Sequence, residues 1–255
     1  MLTWLHFDAY IAYIIFIRNT TLLLSALIIF LGAFTQSLTG FGMALVAMAV
    51  LPPLLGLHVA APLVAGTGLV LEALMLIRYR TSLKVDAIWR VLAASLVGAP
   101  LGVYLLNRIN EKFALLALGI VILGYALYAL IGFRLPQLNH PLWAWVTGLF
   151  SGILGGAYNT SGPPLVIYGN CRRWSAGEFK SNLSGFFVIN SIMVTASHLW
   201  SGHFTSQTLR ILPWTLPAMV LGFLAGQTLD KWISPAFFRT MVLILLVALG
   251  VRLMF

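Results

Sequence analysis

Charge is scarce in this chain. Lys, Arg, Asp and Glu together make up 8% of its 255 residues, where an ordinary soluble domain carries about 25%. That scarcity excludes a soluble globular protein. Carboxylates are scarcer still, six Asp and Glu against 15 Lys and Arg, for a net charge of +9. Cysteine is nearly absent: Cys171 stands alone, which excludes a disulfide framework and Cys-rich metal or iron–sulfur sites. Enzyme signatures are missing too. There is no H-E-x-x-H, no G-x-S-x-G and no Gly-x4-Gly-Lys-Ser/Thr phosphate loop. The expectation is therefore no enzyme, no cofactor, no metal site and no ATP-driven engine. No long basic run exists to hold nucleic acid.

What remains is apolar. The chain is 60% hydrophobic, with a mean hydropathy of +0.97. Long unbroken runs exclude an outer-membrane barrel, whose strands alternate polar and apolar positions. The sequence therefore predicts an all-α polytopic membrane protein. Apolar segments fall at 2–17, 21–51, 57–77, 88–106, 112–132, 141–169, 182–200, 211–229 and 236–254. Most are long enough for a hydrocarbon core of about 30 Å. Segment 2–17 is short, and suits either a brief span or an interfacial helix. It has no basic n-region and no small-residue cleavage site, so no cleaved signal peptide is expected.

Two of the runs are broken. The first break reads Gly32-Ala-Phe-Thr-Gln-Ser-Leu-Thr-Gly-Phe-Gly42, and the second spans Gly148 to Pro164 with Asn159-Thr160-Ser161-Gly162 at its centre. Polar, glycine-rich backbone in lipid costs several kcal/mol per unsatisfied group, so it persists only around a protein-lined or wet cavity. A matched pair of broken segments marks a transporter binding site. The surrounding sequence also repeats: Gly98-Ala-Pro-Leu-Gly102 aligns with Gly222-Phe-Leu-Ala-Gly226, and Gly66-Thr67 with Asn190-Ser191. The unit is one broken or re-entrant element plus three transmembrane helices, present twice. Residues 1–19 form an N-terminal apolar segment, 20–134 the first repeat and 135–255 the second.

The basic residues favour inversion of the halves. If both broken elements turn back, Arg18, Arg108, Lys112, Arg210 and Arg252 lie on one side and the other ten of the 15 basic residues on the opposite side. If both cross, the split is nearly even. The positive-inside rule selects the first arrangement. Arms of 22–34 and 43–51 would then reach only the bilayer centre.

The breaks predict an anion site. Pro163 and Pro164 suit the first turn of a helix, with Ser161 or Thr160 near its N-cap. Such an end presents free N–H groups and a partial positive charge to the midplane. Thr39-Gly40-Phe41-Gly42 opens onto Met43 in the same way. The candidate substrate-binding residues are Gln36, Thr39, Gly40, Gly42, Asn159, Thr160, Ser161, Gly162, Asn190 and Ser191. For Gly98, Gly102, Gly222 and Gly226, close helix packing is the preferred reading.

In segment 182–200, Ser184, Ser191, Thr195 and His198 share one helix face, with Asn190 beside them. That stripe faces either a wet cavity or neighbouring helices. Glu72 is the one carboxylate inside an apolar run, either a proton-coupling group or a near-interface partner of Arg78. His198 is a second candidate for proton coupling or a structural histidine.

These motifs together resemble the sulfite exporter TauE/SafE family of bacterial inner-membrane proteins. The resemblance rests on Gly32…Gly40-Phe41-Gly42…Pro52, on Gly148-x3-Gly152-x2-Gly155-Gly156…Ser161-Gly162-Pro163-Pro164, on Gly66-Thr67, and on Gly222-x3-Gly226…Ser234-Pro235-x-Phe237-Phe238-Arg239. It covers about residues 20–255 and implies transport of sulfite, thiosulfate or organosulfonates, coupled to a proton gradient. The partners expected are a small anion and the lipid bilayer of the bacterial inner membrane, with a homo-oligomer left open. The competing expectation is a channel-like facilitator for a small neutral or anionic solute.

Overall fold

The computed structural model describes residues 2–132, 135–230, 232 and 234–255, with the backbone alone for 2–18, Ala176 and Pro235. The basic residues Arg134 and Lys231, used in the side-to-side count, lie outside the described residues. So does Ile233. Every regular element is helical. In chain order these are α1 (Leu2–Thr39), α2 (Met43–Leu55), α3 (Leu57–Tyr79), a 3₁₀ turn (Arg80–Ser82), α4 (Val85–Arg108) and α5 (Glu111–Ile131). Then come α6 (Leu142–Tyr158), α7 (Gly162–Cys171), α8 (Ala176–Trp200), α9 (Ser206–Leu229) and α10 (Pro235–Arg252). Among the described residues, six helices are long and apolar enough to cross a membrane, in α1, α3, α4, α5, α8 and α9.

Both breaks are far shorter than the sequence suggests. Helix α1 is unbroken from Leu2 through Gly32 to Thr39, with its span-capable stretch at Asn19–Thr39, so the 22–34 arm is longer than expected. The polar residues near its end find partners in the preceding turn or on α9. Thr35 donates to the Leu31 carbonyl at 2.8 Å, Thr39 to Thr35 at 2.9 Å, and Ser37 to Phe223 of α9 at 2.9 Å. A helix tolerates such residues because their hydroxyls bond back to the preceding turn. What breaks is Gly40-Phe41-Gly42, where φ is +88° at Gly40 and +116° at Gly42, a region open in practice only to glycine. In the second half, Gly148 to Tyr158 is helical, and the break is Asn159-Thr160-Ser161, with Asn159 at φ +56°. Asparagine is among the few side chains that accept this conformation.

The glycines of the second break have another task. Gly148, Gly152 and Gly156 form one edge of α6, packed on α4 so closely that a Cβ at Gly156 would stand 2.0 Å from the Ala99 carbonyl oxygen. Gly98 and Gly102 answer from α4, where a Cβ would come within 2.4 Å of the Leu149 carbonyl and 2.2 Å of the Ile153 carbonyl. Gly222 and Gly226 of α9 meet α1 likewise, at the carbonyls of Phe30 and Phe34. Small residues let membrane helices approach backbone to backbone.

Loop chemistry fixes the remaining ends. Ser175 and Glu178 form a reciprocal capping box at the start of α8. The Glu111 carboxylate accepts the Leu57 N–H at 2.6 Å, which caps α3 from the neighbouring α5.

Candidate functional site

The two turns meet. A cavity of about 40 Å³ lies between them, lined by Gln36, Phe41, Gly42 and the first residues of α2, by Val64, Gly68 and Glu72 of α3, by Asn159 to Gly162, and by Phe187, Asn190, Ser191 and Val194 of α8. That is room for a few waters. Eight of the ten residues expected from sequence to bind substrate line it: Gln36, Gly42, Asn159, Thr160, Ser161, Gly162, Asn190 and Ser191. Thr39 and Gly40 do not. Gly40 packs on the Lys180 side chain, and Thr39 faces a recess on the other side of Phe41.

Gln36 organises one wall. Its Nε2 donates to Glu72 Oε1 at 2.7 Å, and its Oε1 accepts the Met43 N–H at 3.1 Å. One side chain thus ties α1, α2 and α3 together. It also occupies one of the N–H groups that the helix-end reading left for a ligand. On the opposite wall, α7 begins at Gly162, with Ser161 at the N-cap and prolines next in line. Pro163 and Pro164 have no N–H, so the first turn offers one helical donor, that of Gly162. The positive end of the helix remains, but hydrogen bonding falls to side chains. Asn159 spends its Nδ2 on the Ala61 carbonyl at 2.7 Å, which pins the turn to α3.

Glu72 is 8% exposed and forms no ion pair with Arg78, whose guanidinium lies over the Tyr79 ring instead. The near-interface pair with Arg78 is therefore not formed. The carboxylate turns inward to the cavity at the spacing Val64, Gly68, Glu72, one face of α3. Three buried polar atoms on this cavity have no partner: Glu72 Oε2, Thr160 Oγ1 and Asn190 Oδ1. Each unmet group costs about 1–3 kcal/mol. Three converge on one small cavity, where a water or a polar ligand would meet them.

Sequence reasoning missed Gly68, Phe187 and the apolar residues opening α2. Spacing by four from Glu72 carried the signal for Gly68 and Val64. The equivalence of Gly66-Thr67 with Asn190-Ser191 pointed elsewhere: Gly66 meets Leu212 and Phe204, and Thr67 bonds back to Leu63 at 2.8 Å.

The polar stripe of α8 divides. Asn190 and Ser191 face the cavity, Thr195 donates to the Ala65 carbonyl of α3 at 3.3 Å, and Ser184 donates back to Lys180 at 2.8 Å. His198 lies apart from the cavity at the end of α8. Its Nδ1 is 2.8 Å from Nδ1 of His203, whose Nε2 is 2.7 Å from Asn107 Oδ1. With Nε2–H donating to Asn107, His203 accepts from His198 through Nδ1, and this geometry needs the His203 ring neutral. Partial burial, with the nearby His58 adding to it, holds His203 below the ordinary imidazole range. The unfolded chain then binds a proton more readily than the folded one. Stability from this cluster is present above about pH 6.5 and falls as pH drops below it. Thermal unfolding in detergent should show a lower Tm at pH 5.5 than at 7.5. The difference should shrink in His203→Gln, and an equal pH response in that variant would remove the cluster as its source.

Comparison with known proteins gives a consistent placement. A probable sulfite/organosulfonate exporter, TauE, of Cupriavidus necator is 29% identical over 232 residues, covering 88% of this chain and 90% of the relative. No solved structure matches. The family model described as "Sulfite exporter TauE/SafE" matches residues 25–253, nearly the whole helical body built here around the two turns. This chain belongs to the sulfite exporter TauE/SafE family, a family of membrane transporters.

Proposed function

We propose that this protein is a secondary transporter that exports a small sulfur oxyanion or organosulfonate across the bacterial inner membrane by alternating access. The observation that carries the reading is the convergence of Glu72, Thr160 and Asn190, with unmet polar atoms, on one small cavity between two helix N-termini. The substrate's oxygens would accept from Thr160 Oγ1, the Asn190 amide, Ser161 Oγ and the Gly162 N–H. Two helix dipoles supply positive potential without a buried Lys or Arg. The Cupriavidus necator relative, a probable sulfite/organosulfonate exporter, suggests the substrate class.

The halves 20–134 and 135–255 are read as inverted repeats that rock about the cavity. Supporting this, α4 packs on α6 through glycines as α9 packs on α1, and each of α1 and α6 ends in a residue with positive φ, Gly40 and Asn159. Glu72 is the coupling residue. When protonated it offers an O–H to the anion, and when ionised it repels it, so proton and anion bind together.

Uptake of ³⁵S-sulfite by proteoliposomes is the direct assay, with a panel of sulfonates beside it. No saturable flux for any of them would sink the substrate class, whereas fast unsaturable conductance would favour the channel. Thr160→Val tests the site. Its hydroxyl has no protein partner, so valine loses nothing structural. A hydrogen bond to a charged ligand is worth about 1.5–3 kcal/mol, so the half-saturating concentration should rise roughly tenfold or more. In Gly162→Leu, the added side chain points towards Phe41 and Phe187 and fills the cavity, so transport should cease while insertion persists.

A further inference from the structure

Phe41 belongs to two cavities. On one side it closes the central cavity, and on the other it lines a recess of about 570 Å³ with Thr39, Asn170, Trp174, Lys180 and Arg239. Its ring is 8% exposed and meets Tyr125 of α5 edge-on, centroids 6.0 Å apart. It is the one aromatic residue lining both spaces. The residues on either side of it are Gly40 and Gly42, both at positive φ. A segment with no Cβ on either flank can rotate its central side chain with little steric opposition.

The recess is basic. Lys180 of α8 and Arg239 of α10 both line it, and no carboxylate does. Among the described residues neither pairs with a carboxylate. The ion pair there is formed by Glu178 with Lys84. Lys180 instead lies over the face of Tyr79, its Nζ 5.2 Å from the ring centroid, a contact that positions the ammonium and leaves its charge uncancelled. An adjoining recess shares Asn170, Trp174 and Arg239 and adds Arg173. Uncancelled cations lining a recess concentrate anions there.

From this geometry we infer that the recess is a second oxyanion site, a loading vestibule in which Lys180 and Arg239 collect the anion before Phe41 swings aside to admit it to the central cavity. The inference rests on the anion-transport reading above. The side-to-side partition of basic residues places Lys180, Arg173 and Arg239 on the richer, cytoplasmic side, where an exported anion loads. The ligand is a small sulfonate- or phosphate-like oxyanion. Its source is either free solute or the headgroup of an anionic lipid.

Two measurements test this separately from the transport reading. Lys180→Gln and Arg239→Gln, in proteoliposomes of neutral lipid, should each raise the half-saturating ³⁵S-sulfite concentration roughly fivefold from the vestibule side with the maximal rate retained. Unchanged values would overturn the loading role, as would an effect seen only with anionic lipid present. The gate is read without any substrate. Cys171 is the single cysteine, so Cys171→Ser gives a thiol-free background for Ser191→Cys inside the cavity. Adding Phe41→Ala should speed its reaction with a small impermeant thiosulfonate from the vestibule side at least tenfold, and Phe41→Leu less. Equal rates in all three proteins would discard the gate even if sulfite transport is intact. Failure of wild-type sulfite flux, with the Phe41 effect present, would discard the substrate and keep the gate.

Discussion

Glu72→Gln should abolish the response of transport to a pH gradient while leaving anion exchange intact. The argument starts from the surroundings of the carboxylate. Its Oε1 accepts from Gln36, its Oε2 is unmet, and among the described residues no Lys or Arg pairs with it. A glutamine at this position still accepts from Gln36 and presents an NH₂ towards the cavity, which imitates the protonated acid. The variant is therefore permanently ready to bind the anion and has no proton to give up. In proteoliposomes, acidifying the loading side should accelerate the wild type severalfold and leave Glu72→Gln indifferent. Exchange of labelled for unlabelled sulfite should remain within about twofold of wild type. Glu72→Leu lacks the donor and strands the Gln36 amide in an apolar wall, so it should lose both activities. A Glu72→Gln protein that still follows the pH gradient would remove Glu72 as the coupling group. It would return attention to other titratable side chains, although His198 is separated from the cavity by its own pairing with His203.

How much of this was readable from the chain depended on whether the cause was local. The start of α7 was local: two consecutive prolines can sit in the first turn of a helix and scarcely anywhere deeper, so Gly162 follows from the sequence. Eight of the ten residues expected to bind substrate likewise line the cavity, because small polar side chains in and beside a membrane break have few other uses. The length of the breaks was misread for a nearby reason. Glycines and polar side chains inside an apolar run suggest a break, yet Thr35 and Thr39 return their hydroxyls to the helix and the α6 glycines lie four apart, the spacing of one packed face. That spacing was visible in Gly148, Gly152 and Gly156 and carried the opposite meaning. The orientation of Glu72 was not legible. Arg78 is near in sequence, whereas Gln36, 36 residues away, is brought within reach only when α1 packs beside α3.

The other large effect belongs to that glycine face. Gly156→Leu should leave no folded protein in the membrane. A Cβ there would be 2.0 Å from the Ala99 carbonyl oxygen, and the neighbouring contacts at Gly148 and Gly152 are 2.2 and 2.6 Å to the carbonyls of Val91 and Ser95. All three obstacles are helical backbone, which cannot turn away as a flexible side chain can. Relief requires α4 and α6 to separate, and with them Gly98 and Gly102, whose backbones approach from the other helix. Changes of this type fall in the rare class that costs more than about 4 kcal/mol. Gly124 of α5 provides the contrast, because a Cβ there meets nothing within 4 Å. Gly124→Leu should fold normally and gain up to about 1 kcal/mol from helix propensity. Expression, monodispersity in detergent and thermal unfolding distinguish the two, and a Gly156→Leu protein melting within a few degrees of wild type would refute the packing argument. Gly156→Ala is the intermediate case. It forces α6 outward just before Asn159, so it should fold with a reduced Tm and transport poorly, because the same helix that locks onto α4 also sets the position of the turn.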